Sequence, residues 1–230
     1  MPDAPLQAVR VWDLPTRLFH WLLAAAVVGA VVSAKMGGNA MVWHFRFGLA
    51  VLALLVFRLV WGLVGGRWSR FWQFLYGPAA LWRYVRGRAQ PREHLDVGHS
   101  PLGALSVFAL LALLAVQVAT GLVADDEIAT TGPLTRFVEL DTALAATGWH
   151  KGWGQDLLLA LLGLHVLAIV AYRVLRRTDL LGPMLHGDKR LPPDTPASAD
   201  GARQRLLALV LAAGAAGLAV WISSLALPPF

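Results

Sequence analysis

Apolar residues fall in five long runs, at 17–36, 41–64, 101–124, 150–175 and 205–227. A helix needs roughly 20 apolar residues to cross the hydrocarbon core of a bilayer. Each run meets that length, and none alternates with the period of two that a barrel strand requires. The pattern predicts an all-α integral membrane protein. Arg46 and Arg58 sit near the ends of the second run, where long cationic side chains reach the interface. The first run begins at Leu18, after a polar stretch with Arg10 and Arg17, and no small-residue cleavage signal ends it. It reads as an uncleaved signal anchor.

The segments between the runs differ in charge. With the N-terminus in the cytoplasm, sixteen Lys and Arg face that side, and four (Lys35, Arg46, Arg136 and Lys151) face the other. Positive residues concentrate on the cytoplasmic side of membrane proteins, so the C-terminus is expected outside. Residues 68–86 interleave aromatics with arginines and read as an interfacial segment on the inner leaflet. Residues 124–149 carry Asp125, Asp126, Glu127, Glu139 and Asp141. They read as a solvated loop or as a docking surface for a basic partner. Residues 191–204 are rich in Pro, Ala and Asp and read as a flexible linker between a domain at 1–190 and an additional helix in 205–230.

Composition narrows the chemistry. The chain has no cysteine, which excludes disulfides, thiolate metal sites, iron–sulfur clusters and covalently attached c-type haem. The net charge of +6 belongs to arginines beside apolar runs. Anionic lipid and topology account for it, and a nucleic-acid partner is not expected.

Among seven histidines, four take informative positions. His20 lies at the inner end of the first run and His165 in the inner half of the fourth. His44 and His150 lie at the outer ends of the second and fourth. Two pairs therefore stand at two depths. An electron-transfer haem takes two axial ligands from opposite faces, and facing helices of a bundle supply them. The expectation is two b-type haems held by bis-His ligation. Fifteen residues separate His150 from His165, a rise of about 22 Å on a regular helix. A zinc site is disfavoured by the dispersal of the imidazoles. A proton relay would call for carboxylates within the spans, where Asp156 is the one candidate. Gly48, one turn from His44, and Gly163, beside His165, would let a flat cofactor approach the backbone, and Gly29 and Gly121 also interrupt spans. Arg17, Arg58 and Arg173 are candidates to pair with haem propionates. His99 reads as a supporting residue, and His94 and His186 as solvent-facing.

The segments VWDLPTRLFHW (11–21), WHFRFGLAVLALLVFRLVWG (43–62), GHSPLGALSVFALLALLAVQVATGL (98–122), WHKGW…GLHV (149–166) and DLLGPMLHGDKR (179–190) resemble the prokaryotic cytochrome b561 family. That family includes the cytochrome b subunits of NiFe hydrogenases. The resemblance implies a four-helix transmembrane di-haem bundle, with His20 and His165 on the inner haem and His44 and His150 on the outer. The fifth helix lies outside that core. The resemblance further implies an inner-membrane protein with quinone (ubiquinone or menaquinone) as one redox partner. A periplasmic dehydrogenase or c-type cytochrome would be the other, with a homo- or hetero-oligomer as the setting. One branch of the family oxidises superoxide with quinone as acceptor, an alternative that the acidic 125–127 cluster disfavours. A membrane anchor or assembly protein without redox chemistry is the remaining alternative. The His150–His165 interval is one residue longer than the family pattern. One residue adds about 100° of rotation on a regular helix, which Gly152 and Gly154 can absorb through a bulge or a late helix start.

Overall fold

A computed structural model describes residues 5–88, 95, 97–128 and 130–226. His94 and Arg92 lie outside the described residues, as does the end of the fifth apolar run. Among the described residues, five helical segments are long and apolar enough to cross a membrane. They are α1 (Leu14–Met36), α2 (Met41–Val64), α4 (Pro101–Val123), the pair α5 (Leu140–Lys151) and α6 (Trp153–Leu175), and α8 (Ala202–Ser224). Two short helices, α3 (Pro78–Val85) and α7 (Leu181–His186), lie between them. The architecture is an all-α membrane bundle.

The chain divides into two compact units, each built from separate stretches of sequence. One unit comprises residues 1–20, 58–108 and 165–211. Its strands β1 (Gln7–Arg10) and β2 (Asp188–Leu191) pair antiparallel, with Gln7 opposite Leu191 and Arg10 opposite Asp188. Val11, Trp12, Trp68 and Val97 form its buried apolar cluster. Asp13 caps α1: its Oδ1 accepts the Thr16 backbone N–H at 2.8 Å, the bond an N-cap side chain makes. Pro15 follows in the first turn, where its missing N–H costs nothing.

The stretch read as a flexible linker is tied down in this unit, because its small polar residues meet backbone groups left over by the strand pair. Ser198 donates its N–H to the Arg10 carbonyl at 2.7 Å and its hydroxyl to the Val11 carbonyl at 2.7 Å. Trp68 donates its indole N–H to the Pro196 carbonyl at 2.8 Å. Asp200 accepts the Leu14 N–H at 3.1 Å. The aromatic segment 68–86 is likewise divided. Trp68 and Phe74 are buried, whereas Trp72, Leu75 and Trp82 are exposed.

The other unit comprises residues 21–57, 109–164 and 212–230. Its core draws Ala26 and Val27 from α1, Val51 and Leu55 from α2, Leu114 from α4 and Leu158 from α6. Gly29 lets α1 approach α2: a Cβ there would lie 2.6 Å from the Phe47 ring. From α8, Ala216, Ala219 and Val220 line a shallow groove with Leu49, Ala50 and Ala53 of α2.

The acidic segment is more ordered than a solvated loop. Asp125 exchanges two hydrogen bonds with the Thr147 hydroxyl, at 2.9 and 2.8 Å. Asp126 accepts the Ile128 and Thr130 N–H groups at 3.1 and 2.8 Å. Residues 140–149 are helical, so the fourth span begins about ten residues before the apolar run does. Glu139 stands at the N-cap and Asp141 in the first turn of α5, where negative charge suits the helix dipole. The helix breaks at Gly152, which separates α5 from α6.

Candidate functional site

In the first unit, α1 carries His20 and α6 carries His165. Their ring centres are 6.5 Å apart, with the planes inclined at 48°. In the second unit, α2 carries His44 and α5 carries His150, with ring centres 5.9 Å apart and planes at 81°. A metal–imidazole bond is about 2 Å long, so two rings gripping one metal from opposite sides have centres roughly 6 Å apart. Both pairs fall near that separation. Among the described residues no group of three or more His, Cys, Asp or Glu converges. The histidines instead come together as two separate pairs of imidazoles.

The second pair is also oriented. His44 Nδ1 lies 2.9 Å from the Ala30 carbonyl, and His150 Nδ1 lies 2.9 Å from the Gln117 carbonyl. A carbonyl only accepts, so both Nδ1 atoms carry the proton and donate it. Nε2 is then the nitrogen left for a metal, the usual arrangement of a ligating histidine.

The first unit also holds a buried cation. Arg58 is 2% exposed, and its Nη1 has no hydrogen-bond partner among the described residues. Its guanidinium lies over the rings of Phe19 and Phe71, at 5.9 and 4.6 Å. The carboxylate whose charge acts on it is Asp13, whose oxygens are already engaged by Thr16, Trp61 and Ser69. An unsatisfied buried guanidinium is costly, and a carboxylate of a bound group would relieve it. Arg17 donates to the Leu185 carbonyl at 2.5 Å and keeps its buried Nε without a partner. His99 packs between Trp12 and Phe74, with ring centres at 4.7 and 4.4 Å, and its buried Nδ1 also lacks a partner. Burial, reinforced by the charges of Arg58 and Lys189, pushes the His99 pKa down to about 3, so this imidazole is neutral at physiological pH.

The remaining candidates divide. A Cβ at Gly48 would meet nothing within 4 Å, which leaves the surface one turn from His44 open. Gly163 is exposed and lies two residues from His165, about 200° round the helix from it. Asp156 is exposed in the first turn of α6, and Arg173 and His186 are exposed.

Sequence reasoning missed Asp13, Ser69 and Gln117. Asp13 and Ser69 are both 0% exposed, and Trp61 Nε1 and Ser69 Oγ donate to Asp13 at 3.1 and 2.7 Å. The D-x-x-T spacing of an N-cap was the one local signal for Asp13. Nothing local marks Gln117, whose significance comes from a residue 33 positions away.

The model of a family described as prokaryotic cytochrome b561 matches residues 11–187. Among curated proteins, the chain is 20% identical to a probable Ni/Fe-hydrogenase 1 B-type cytochrome subunit of Escherichia coli (strain K12), over 77% of this chain and 88% of that protein. It is 24% identical to a probable Ni/Fe-hydrogenase B-type cytochrome subunit of Rhodobacter capsulatus, over 81% and 83%. A third, of the same description from Azotobacter vinelandii, is 24% identical over 82% and 91%. No solved structure matches the chain.

Proposed function

The chain belongs to the prokaryotic cytochrome b561 family, and from that premise we propose that it holds two haem b groups and passes electrons between a periplasmic redox partner and membrane quinone. Membership makes it a multi-pass bacterial membrane b-type cytochrome of electron transfer. The observation that carries the finer reading is the pairing of His20 with His165 and of His44 with His150 at axial-ligand separations.

When bound, haem supplies one-electron chemistry by cycling its iron between ferric and ferrous states. The protein's part is to hold and tune it. His20 with His165, and His44 with His150, would each hold one haem iron and so would leave no open site for O2 or other ligands. Arg58, Arg17 and His99 would receive haem carboxylates beside the first pair, and the unsatisfied Arg58 Nη1 is the best reason to think so. Gly48 would give the second haem close access to α2, whereas Gly163 faces away from His165 on α6 and would not serve the haem held there.

The partner reading rests on different grounds. The relatives are cytochrome subunits of Ni/Fe hydrogenases, so this chain is expected to serve a partner enzyme subunit of a dehydrogenase. A c-type cytochrome is the other candidate, and exposed Glu127 and Glu139 would favour a basic one. The excess of Lys and Arg on one side supports a cytoplasmic N-terminus and a periplasmic C-terminus in the inner membrane.

A reduced-minus-oxidised visible spectrum of the purified chain, with haem quantification, tests the proposal. Two low-spin haems per chain are expected. His165→Ala should lose one, and His94→Ala none. A colourless protein from cells supplied with haem would overturn the reading and leave a membrane anchor without redox chemistry.

A further inference from the structure

His150 sits in the last turn of α5, two residues before the break at Gly152. A ring so close to a helix end is poorly constrained by its own helix. The neighbouring helix α4 constrains it instead. The acceptor of the His150 Nδ1–H is the carbonyl of Gln117 at 2.9 Å. In a regular helix that carbonyl already receives the N–H four residues on, at Gly121. A second donor reaches it only from the side, past residue 121. Gly121 leaves that path open. A Cβ there would lie 2.9 Å from His150 Cε1 and 3.2 Å from Nδ1, closer than real side chains tolerate.

The Gln117 side chain makes a second tie. Its Nε2 donates to the His150 carbonyl at 3.2 Å, one of the carbonyls a helix leaves unsatisfied at its C-terminus. Gln117 is 7% exposed, so this bond is shielded from water. Gly154 backs the amide from the other side: a Cβ there would overlap Gln117 Oε1 and approach Trp149 Nε1 to 2.6 Å. The Thr120 hydroxyl, 3.4 Å from His150 Nδ1, already has the Val116 carbonyl at 2.8 Å.

We propose that Gln117 and Gly121 form a positioning clamp for His150, fixing Nδ1 as the proton donor and aiming Nε2 at the iron. This rests on the bis-imidazole reading above. It also accounts for the extra residue between His150 and His165. With the helix broken at Gly152, the orientation of the ring is set by α4 and not by the rotation of α6. A hydrogen bond from Nδ1–H makes the imidazole a stronger donor to the metal and stops it turning. A stronger donor favours the ferric state, so loosening the clamp raises the reduction potential of that haem.

The test uses the full chain purified with its haems. Gly121→Ala improves helix propensity, so the change is directed at the ring and not at α4. One haem, the one also lost in His150→Ala, should show a higher midpoint potential and an altered low-spin EPR signal. The other haem should keep wild-type values. Gln117→Leu keeps the carbonyl but removes the side-chain tie, and should shift the same haem less; it carries the test if Gly121→Ala does not accumulate. Gly214→Ala, whose Cβ would meet nothing within 4 Å, is the control and should match wild type. Two haems with unchanged potentials and EPR signals in both Gly121→Ala and Gln117→Leu would overturn the clamp and leave the ligand reading intact. Equal loss of both haems, with unchanged potentials in what remains, would reduce these residues to packing and also overturn it. An undiminished haem content in His150→Ala would sink the ligand reading itself.

Discussion

Replacing Asp13 by Ala removes the acceptor at the start of α1 and tests whether the buried polar network there holds the first histidine pair in place. Asp13 is 0% exposed and takes hydrogen bonds from Thr16 N at 2.8 Å, Trp61 Nε1 at 3.1 Å and Ser69 Oγ at 2.7 Å. Losing the helix cap costs about 1 kcal/mol. The Thr16 N–H is then orphaned in a dry site, for a further ~1–3 kcal/mol. Trp61 and Ser69 suffer less, because both also reach the Thr16 hydroxyl, at 3.2 and 2.6 Å. Arg58 also loses the through-space attraction of the Asp13 charge, about a further 1 kcal/mol in a buried setting with no direct ion pair to break. These costs overlap, so the net loss is taken as about 3–5 kcal/mol. For a chain of this size that is a fall in melting temperature of roughly 6–20 °C.

The assay is thermal unfolding in detergent followed by near-UV circular dichroism, with haem content measured alongside. Asp13→Asn keeps an acceptor and loses only the charge, so it should cost less, about 1–2 kcal/mol. Asp179→Ala, which removes an exposed cap of α7, is the control at about 1 kcal/mol. His20 lies two turns into α1 from Asp13, so haem loss in Asp13→Ala should fall on the haem assigned to His20 and His165. A melting temperature within the range of the Asp179→Ala control would refute the reasoning: the network would then be dispensable.

His99→Phe should flatten the acid side of the stability profile. The folded pKa is held near 3 against an ordinary 6.5, so below pH 6.5 the unfolded state binds more protons, and wild-type stability falls as pH drops from 6.5 towards 3. A phenyl ring between Trp12 and Phe74 removes that contribution; denaturant midpoints measured at pH 7 and 4.5 would check it. Gly154→Ala should destabilise the chain by about 1–3 kcal/mol, because its methyl overlaps Gln117; the same denaturant series reads the effect. Ending the chain before α8 should leave the haem content unchanged, since α8 carries no histidine; haem quantification of the truncated protein decides this. Because the chain has no cysteine, Glu139→Cys and Arg190→Cys give clean topology reporters. An impermeant maleimide should label position 139 from the periplasm and spare position 190 in intact cells.

The sequence by itself determined the features whose cost is local. Burying a run such as 101–123 in lipid depends on the apolarity of that run alone, so four of the five spans were legible within a few residues and the fourth at its C-terminal end. The four histidines were legible for a related reason. A polar side chain in a span is expensive wherever its partners lie, and their depths alone suggested how they pair. Tertiary structure decided what depends on meeting a distant residue. The antiparallel match of Gln7 with Leu191 joins segments 184 positions apart, and neither segment has the length or alternation to announce a strand. Ser198 looked like linker because its composition is polar and flexible, yet it fills backbone bonds that exist only once β1 and β2 have paired. Residues 140–149 are too polar to read as part of a span, and their helix is tied to the preceding segment where the Thr147 hydroxyl meets the Asp125 backbone. Gln117 is one polar residue in an apolar helix until His150 turns back onto its carbonyl. A chain declares which surfaces must leave water, but a hydrogen bond between two remote groups exists only in the folded geometry that brings them together.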